Sequence, residues 1–586
     1  MTFHKLAALT STAVVVLALL PMSTSAGMTE TGNNKASGQK TRQLSPQPPT
    51  ITPLRDYIPF YAQLSDGRLM GISERIVEGV QEGIARYSMD DGTSWSEAET
   101  LFKLPKENGE WGISNILLDH DGELHFFYTL SYNVGEGKGI YDMRIDVWHV
   151  RSTGGRKNWN VPQPLWKGYY GSMNSVIQLR SGRIILPLSV LTPRTWSTPG
   201  AGFDAFTDVG RFSSKVGYSD DGGDSWHLSP VEFKTSMPYI GGDGMIEPIV
   251  IQLRDDRVWM LIRTPNGRFY ESFSKDGAEW SHPQPTSIFS SDSPAALVRL
   301  KDGRIVMFWN NCLRYPYAQG GRFVIHAAIS EDEGQTWRGY REVASDPRVN
   351  EPHPPNGDYG VAYLWPVVTQ DQKVLFNTTA WPRPESPAPA LVHVDPEWLY
   401  ETDRRTDFSA GLKDWFNFGT RGVEVVPNGE KPGVQALQLR KTVADWPAAA
   451  VWNFPMGRIG RLRVKLLLSP GFAGARLGLT DHFSVPFDAE DRIYNLYNLE
   501  IGPNGELARG KKLEPGRWHD LDFDWDDTRR ECRVTADGRP IATLPLTREA
   551  ASGVSYLRLV STAEQTDRAG LLVESVAADV SESWRK

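Results

Sequence analysis

The sequence predicts an all-β protein: a six-bladed β-propeller followed by a β-sandwich of the jelly-roll type. Three observations predict it. The 586 residues include 20 Trp, 54 Gly and 40 Pro with no low-complexity run, and many aromatics beside many turn formers favour short strands over long helices. A hairpin-like unit recurs six times before about residue 400. Beyond it, strand-like segments continue with different turns and no helical periodicity.

The first element is a targeting segment. Lys5 gives a positive start, Leu6 to Leu20 is apolar apart from Thr10, Ser11 and Thr12, and Pro21 breaks the run. Thr24-Ser25-Ala26 offers a small-residue cleavage site, so residues 1–26 are expected to be a signal peptide. The mature chain is then secreted or periplasmic. The apolar core is shorter than the ~20 residues of a membrane helix, and no later stretch approaches that length, so no membrane span is expected. Residues 27–47 are polar and rich in Ser, Thr, Asn and Gln, and read as a flexible leader.

Residues 48–400 carry the repeat. Its copies are IPFYAQLSDGRLMGI, SNILLDHDGELHFFY, NSVIQLRSGRIILPL, EPIVIQLRDDRVWML, SPAALVRLKDGRIVMF and LWPVVTQDQKVLFN. Their turns begin at Asp66, Asp121, Ser181, Asp255, Asp302 and Asp371. Each copy reads as two β-rich runs joined by a short polar turn, a β-hairpin. A second motif lies within the same period: Ser88-x-Asp90-x-Gly92-x-x-Trp95, Ser219 to Trp226, Ser330 to Trp337, and a shorter form from Ser274 to Trp280. Ser152 to Trp159 is a decayed copy without the Asp. In such a turn Asp accepts backbone N–H groups, Gly supplies an unusual φ and Trp packs the turn down. These residues are expected to be structural. Six hairpins, most with a second turn motif, give about four strands per unit, which is the arithmetic of a six-bladed propeller. The last sheet is completed by the strand near Leu391–Val394 or by the N-terminal strand.

Residues 401–586 have a different rhythm, with strands GRLRVKLLLS, ARLGLTD, WHDLDFDWD, ECRVTADGRPI and YLRLVST between Pro-Asn-Gly, Ala-Asp-Gly and Pro-Gly turns. This spacing predicts a β-sandwich. The segment from Pro515-Gly-Arg-Trp518 to Asp537-Gly-Arg-Pro-Ile541 resembles the laminin-G or concanavalin-like jelly roll.

Charge and cysteine exclude other classes. The net charge is −8 and no Lys/Arg run stands out, so a nucleic-acid partner is not expected. The two Cys, Cys312 and Cys532, are too few for a disulfide scaffold or a Cys-rich zinc site and are expected to be unpaired core thiols. The His are scattered, so neither metal nor cofactor is expected, although His326 and His353 leave His-based chemistry open. The chain is expected to be a monomer.

The repeated Ser-x-Asp-x-Gly-x-Thr-Trp turn resembles the mark of the sialidase-like superfamily. That resemblance implies a retaining glycosidase with a Tyr nucleophile activated by a Glu, an acid/base carboxylate and three Arg on the substrate carboxylate. A phenol suits such a substrate because it approaches an anomeric carbon bearing a carboxylate with less repulsion than another carboxylate would. Planar Arg side chains suit the carboxylate itself. Tyr363, eight residues before the sixth turn, resembles the nucleophile, and Glu247, opening EPIVIQLRDDR, resembles its base. Arg263 and Arg322 resemble the second and third clamp Arg, and Arg75 an extra Arg of the pocket.

Two positions depart from the pattern. The first clamp Arg belongs to an Arg-Ile-Pro opening, but here the chain reads Tyr57-Ile58-Pro59, with Arg55 two residues upstream on the same strand parity. Losing that Arg would weaken binding of a carboxylate by about 2–3 kcal/mol. The acid/base Asp has no clean match; Glu78, Glu82 and Asp243 are the candidates. Asn310, beside Trp309, is a candidate for sugar contact or for capping a strand end. The implied activity is exo-hydrolysis of a terminal acidic sugar, sialic acid or similar. The alternatives are a polysaccharide lyase or non-sialic glycosidase on the same propeller, and a glycan-binding protein without turnover.

Overall fold

The computed structural model describes residues 46–104, 109–132, 144–168, 170–193, 210–235, 244–312, 322–346, 348–351, 361–377, 389–417, 419–484 and 489–581. The proposed signal peptide and nearly all of the leader lie outside them. Among the described residues regular structure is all strand, apart from short 3-10 turns. No helix among them is long and apolar enough to cross a membrane.

All six sequence-predicted hairpins are present as antiparallel pairs, and each belongs to its own sheet. In chain order these repeat sheets are built on Phe60–Gln63, Glu110–Leu118, Ile177–Gln178, Ile246–Gln252, Ala296–Arg299 and Val367–Val368. Four strands form each path, and the second sheet carries a small fifth. The hairpin turns close as their composition requires: Asp66 accepts from the backbone N and Nε of Arg68 at 3.0 and 2.9 Å. Asp255–Arg257 and Asp302–Arg304 repeat this. The sixth sheet contains both candidate strands. Ala390–Val394 pairs with Val374–Asn377 on one side and with the N-terminal Thr50–Pro53 on the other.

The Asp-turns are local hydrogen-bond cages. Asp90 Oδ1 accepts from Ser88 Oγ and Ser94 N, both at 2.8 Å, while Trp95 Nε1 donates to Gly92 O at 3.0 Å. Gly92 sits at φ 86°, and a Cβ there would meet its own Trp95 and Leu391 of the sixth sheet. Gly223, Gly277 and Gly334 press in the same way on His149, Ile185 and Trp259 of the preceding sheets. Apolar clusters join the first sheet to the second, the second to the third, and so on to the sixth, and one further cluster joins the sixth to the first. The four intact turns thus staple the first, third, fourth and fifth sheets each to the sheet before it.

The decayed turn is repaired from outside. Where Ser152–Trp159 lacks its Asp, Glu123 of the preceding hairpin accepts from Ser152 Oγ at 2.5 Å, Gly155 N at 2.6 Å and Arg156 N at 3.0 Å. Removing a carboxylate that satisfies three donors should cost about 1–3 kcal/mol. Glu123→Ala is therefore expected to lower the melting temperature, while Asp121→Ala, in the exposed turn beside it, does not; differential scanning calorimetry reads both.

Residues 403–581 form two further sheets. The larger runs Val423–Pro427, Gln435–Leu439, Leu571–Val580, Ile459–Leu468, Trp518–Asp526, Glu531–Ala536 and Arg539–Pro545, with Asp403–Thr406 also on Leu571–Val580. The smaller runs Trp415–Phe416, Ala449–Gly457, Val554–Ser561, Ala475–Thr480 and Tyr497–Ile501. One apolar core, with Trp452 and Trp525 fully buried, draws residues from both sheets. All five segments read as strands from the sequence are strands. Both cysteines are buried, and no disulfide joins them.

This part is joined to the fifth repeat sheet by buried polar bonds. Asn311 Nδ2 donates to Asp481 O at 3.0 Å, and Phe483 N donates back to Asn311 O at 2.8 Å. Tyr556 OH donates to Glu342 Oε1 at 2.6 Å and contacts His326 Nε2 at 2.5 Å. Loss of hydration pushes Glu342 up to about 7, against the opposing pull of the Tyr556 bond and of Arg404. Because the folded pKa is raised, the junction favours the protonated acid. Its contribution is full below the ordinary carboxylate range and is lost as pH rises towards 7. The melting temperature is expected to fall between pH 5 and pH 8 for this reason, and Glu342→Gln to fall less over the same range.

Candidate active site

A cavity of about 710 Å³ opens where strand ends of several repeat sheets meet, and Tyr57, Glu74, Arg75, Tyr170, Glu247 and Tyr363 contribute to its wall. Glu247 comes from the start of the fourth sheet, at a register irregularity between Ile246 and Ile249. Tyr363 comes from the segment entering the sixth sheet. The two meet: Tyr363 OH donates to Glu247 Oε1 at 3.1 Å. Both sit in the left-handed backbone region, Glu247 at φ 50° and Tyr363 at φ 63°. Such conformations cost of order 1–3 kcal/mol each for residues with side chains and persist where surrounding structure enforces them. For Glu247 part of the enforcement is visible, since its backbone N–H is bound by Ser189 Oγ.

Arg263 ends the strand that pairs with Ile246 and lies behind this pair. Its Nη1 donates to Tyr363 OH at 3.0 Å and bonds Glu247 Oε2, while Nε donates to Asp292 Oδ1 at 2.6 Å. Burial opposes its charge, but Asp292, Glu247 and Tyr363 more than offset this and hold the guanidinium well above the ordinary arginine value. Arg322 lies over the Tyr363 ring at 5.2 Å and donates to Asp292 O at 2.9 Å. Desolvation, then the Glu247 charge, pushes the Tyr363 phenol up to about 12, with Arg263 and Arg322 pulling the other way. A phenol so placed becomes a nucleophile only as its proton leaves. The acceptor Glu247 and the cation Arg263 are both in contact with its oxygen.

The sequence-predicted residues divide by position. Tyr363, Glu247, Arg75 and Tyr57 line the cavity; Arg263 and Arg322 do not, and stand behind Tyr363 and Glu247. Arg75 is already engaged, with Nε on Glu82 at 3.0 Å and Nη2 on Thr100 at 2.9 Å. Arg55 is exposed and outside the cavity wall. Asn310 is fully buried, and its amide bonds Val324 O, Val361 O and Ser293 Oγ. Asn310 is therefore not a lining residue, and its polar atoms are spent on backbone and serine.

The acid candidates are separated in the same way. Glu78 occupies the tip of the Leu69–Val77/Val80–Ser88 hairpin at φ 50°, away from the cavity. Lys103, then Arg75 and Thr100, hold Glu82 down at about 2, so it stays a carboxylate. Asp243 lies outside the described residues. Glu74, which the sequence reading passed over, faces the cavity with Oε2 accepting from Gln81 Nε2 at 2.9 Å and Ile113 N at 3.2 Å. Glu74 keeps an exposed side chain at the cavity wall, and the protein around it raises its pKa above the ordinary glutamate value by desolvation, despite those two bonds. Its signal in the sequence was its place beside Arg75 on a strand reaching the cavity. Asp292 was also missed, since Ser290-Ser-Asp292-Ser-Pro294 reads only as a turn. No cluster of His, Cys, Asp or Glu suited to a metal ion occurs among the described residues.

Asp-turns stapling four-stranded sheets, with a cavity at the converging strand ends, define a class of β-repeat protein. Residues 77–376 match the BNR repeat-like domain, and the chain belongs to that family. No curated protein sequence matches the chain. Among solved structures, Trypanosoma rangeli sialidase is 14% identical with a TM-score of 0.38, over 90% of this chain and 94% of that one. A point mutant of NanB sialidase from Streptococcus pneumoniae is 14% identical with a TM-score of 0.39, over 58% and 68%. The intramolecular trans-sialidase from Ruminococcus gnavus is 13% identical with a TM-score of 0.41, over 59% and 95%.

Proposed function

We propose that the protein is an exported exo-glycosidase of the sialidase type, acting from a six-bladed propeller on the terminal sugar of a glycan. The observation that carries this reading is the Tyr363 hydroxyl, bonded to both Glu247 and Arg263 at the wall of the 710 Å³ cavity. The cyclic packing of six repeat sheets supports the propeller. The apolar core shared by two facing sheets supports a jelly-roll domain from about residue 401. The N-terminal pattern supports export, with residues 1–26 removed.

In this mechanism Glu247 accepts the phenolic proton as Tyr363 Oη bonds the anomeric carbon, and Arg263 stabilises the developing phenolate. The leaving sugar oxygen takes a proton from Glu74. Water then enters, Glu74 removes its proton, and the sugar–tyrosine bond breaks with return of the proton from Glu247 to Tyr363. The purified protein is expected to release 4-methylumbelliferone from an α-sialoside. Release from no glycoside in a panel of sialosides, uronosides and neutral glycosides overturns the reading. Glu74→Gln should lower kcat/KM by about 10²–10⁴-fold on alkyl or sugar leaving groups. The loss should be much smaller on aryl leaving groups, which need little protonation.

A second reading is favoured by Tyr57 and by the charges around it. Where the resemblance has a clamp Arg, this chain presents a phenol that burial, then Glu74, keeps protonated. Of the described lining residues, Arg75 and Arg86 are each ion-paired, with Glu82 and with Asp56 at 3.0 Å. A sugar without a carboxylate at the anomeric carbon fits this wall. Preferential hydrolysis of a neutral glycoside over the sialoside would establish it.

A further inference from the structure

We infer that Tyr170 is a substrate-binding residue whose hydroxyl donates a hydrogen bond to an oxygen of the sugar held beside Glu247 and Tyr363. This rests on the reading of the cavity as a glycan site and deepens it by assigning a contact that selects the substrate.

Tyr170 lines the cavity, yet its side chain is 1% exposed, with the ring packed among Phe127, Val147 and Leu188. Its hydroxyl has no hydrogen-bond partner among the described residues. A buried hydroxyl left without a partner is costly, and a phenylalanine would fill the same space without that cost. The hydroxyl is therefore expected to be matched by what enters the cavity.

Its placement is rigid and tied to the reacting pair. Tyr170 forms an antiparallel bridge with Val190, and Gly171 N donates to Ser189 O at 3.0 Å. The same Ser189 binds the Glu247 backbone N–H through its Oγ. One short stretch of the third sheet thus fixes both Tyr170 and Glu247. Burial, then the Glu247 charge, raises the Tyr170 phenol well above its ordinary value, so it remains a donor across the working pH range. It follows that the oxygen it meets is an acceptor on the Glu247 side of the sugar.

The test compares wild type with Tyr170→Phe on the glycoside that wild type hydrolyses best, and on the analogue of that glycoside deoxygenated at each ring position in turn. The expected result is a fall in kcat/KM of about tenfold to a hundredfold, a melting temperature unchanged or higher, and one deoxy analogue on which the two proteins are equal. Equal kinetics on the parent glycoside overturn the assignment, as does a loss accompanied by a lower melting temperature with no analogue that removes the difference. If wild type hydrolyses nothing, the glycosidase reading fails on its own. The contact is then read from thermal shifts with N-acetylneuraminate, glucuronate and galactose. Stabilisation of wild type but not of Tyr170→Phe supports it, and equal or absent stabilisation overturns it.

Discussion

Tyr363→Phe is expected to lower kcat/KM by about 10³-fold or more while leaving the fold intact. The phenol oxygen is the only heavy atom removed, and it is the atom held between Glu247 and Arg263. Groups that act as a unit in a covalent mechanism show losses of this size when one is deleted. The cost in stability is small, about 1 kcal/mol, because the ring stays packed and the lost bonds are replaced in part among Arg263 and Glu247. Single-turnover kinetics check the result: wild type should show a burst of aryl release when deglycosylation is slow, and Tyr363→Phe none. An activity within tenfold of wild type would remove Tyr363 from the role of nucleophile.

Arg263→Met is expected to have the largest effect on stability, about 3–5 kcal/mol. Arg263 is 5% exposed and stands between two carboxylates that are themselves buried, Glu247 and Asp292. Removing the cation leaves both without their counter-charge, and the penalty is their uncompensated desolvation more than the loss of the attraction. The double variant Arg263→Met/Asp292→Asn should therefore be less destabilised than Arg263→Met alone, a non-additivity expected of groups in one network. Urea unfolding followed by tryptophan fluorescence reads both. If Arg263→Met unfolds at the wild-type midpoint, the network contributes nothing to the fold.

How far these residues were legible in the sequence depends on how local their chemistry is. The hairpins and Asp-turns were readable because each closes on itself: Asp90 satisfies Ser88 and Ser94, and Asp66 satisfies Arg68, within a few residues. Glu123 was not readable as the partner of the decayed turn, because the carboxylate comes from the turn of the preceding hairpin about 30 residues away. Tyr363 and Glu247 were named through resemblance, and their positive φ has no signal in composition. The acid candidates on the first hairpin divide for a geometrical reason. Glu74, Glu78 and Glu82 share one parity, but the register of the hairpin puts Glu78 at the tip and Glu82 opposite Arg75. Only Glu74 is left facing the cavity. Asn310 was drawn towards the site by its side-chain chemistry and away from it by neighbouring backbone and serine groups that no sequence pattern announces. Tyr170 gave no signal, since an aromatic in a mixed stretch reads as core, which its ring is.

The pairing of Thr50–Pro53 with Ala390–Val394 sets an order of events during synthesis. Thr52 Oγ1 meets His393 Nε2 at 3.2 Å across 341 residues of chain. Among the described strands, the first in the chain thus pairs with the last strand of the repeat sheets. Five sheets can form while it hangs unpaired, and its exposed edge is a place where a nascent chain can pair wrongly or be held by a chaperone. Such long-range pairing is slow because the intervening chain must be ordered first. A chain that ends before residue 390 lacks the strand that covers Thr50–Pro53, and so carries an open sheet edge free to pair elsewhere.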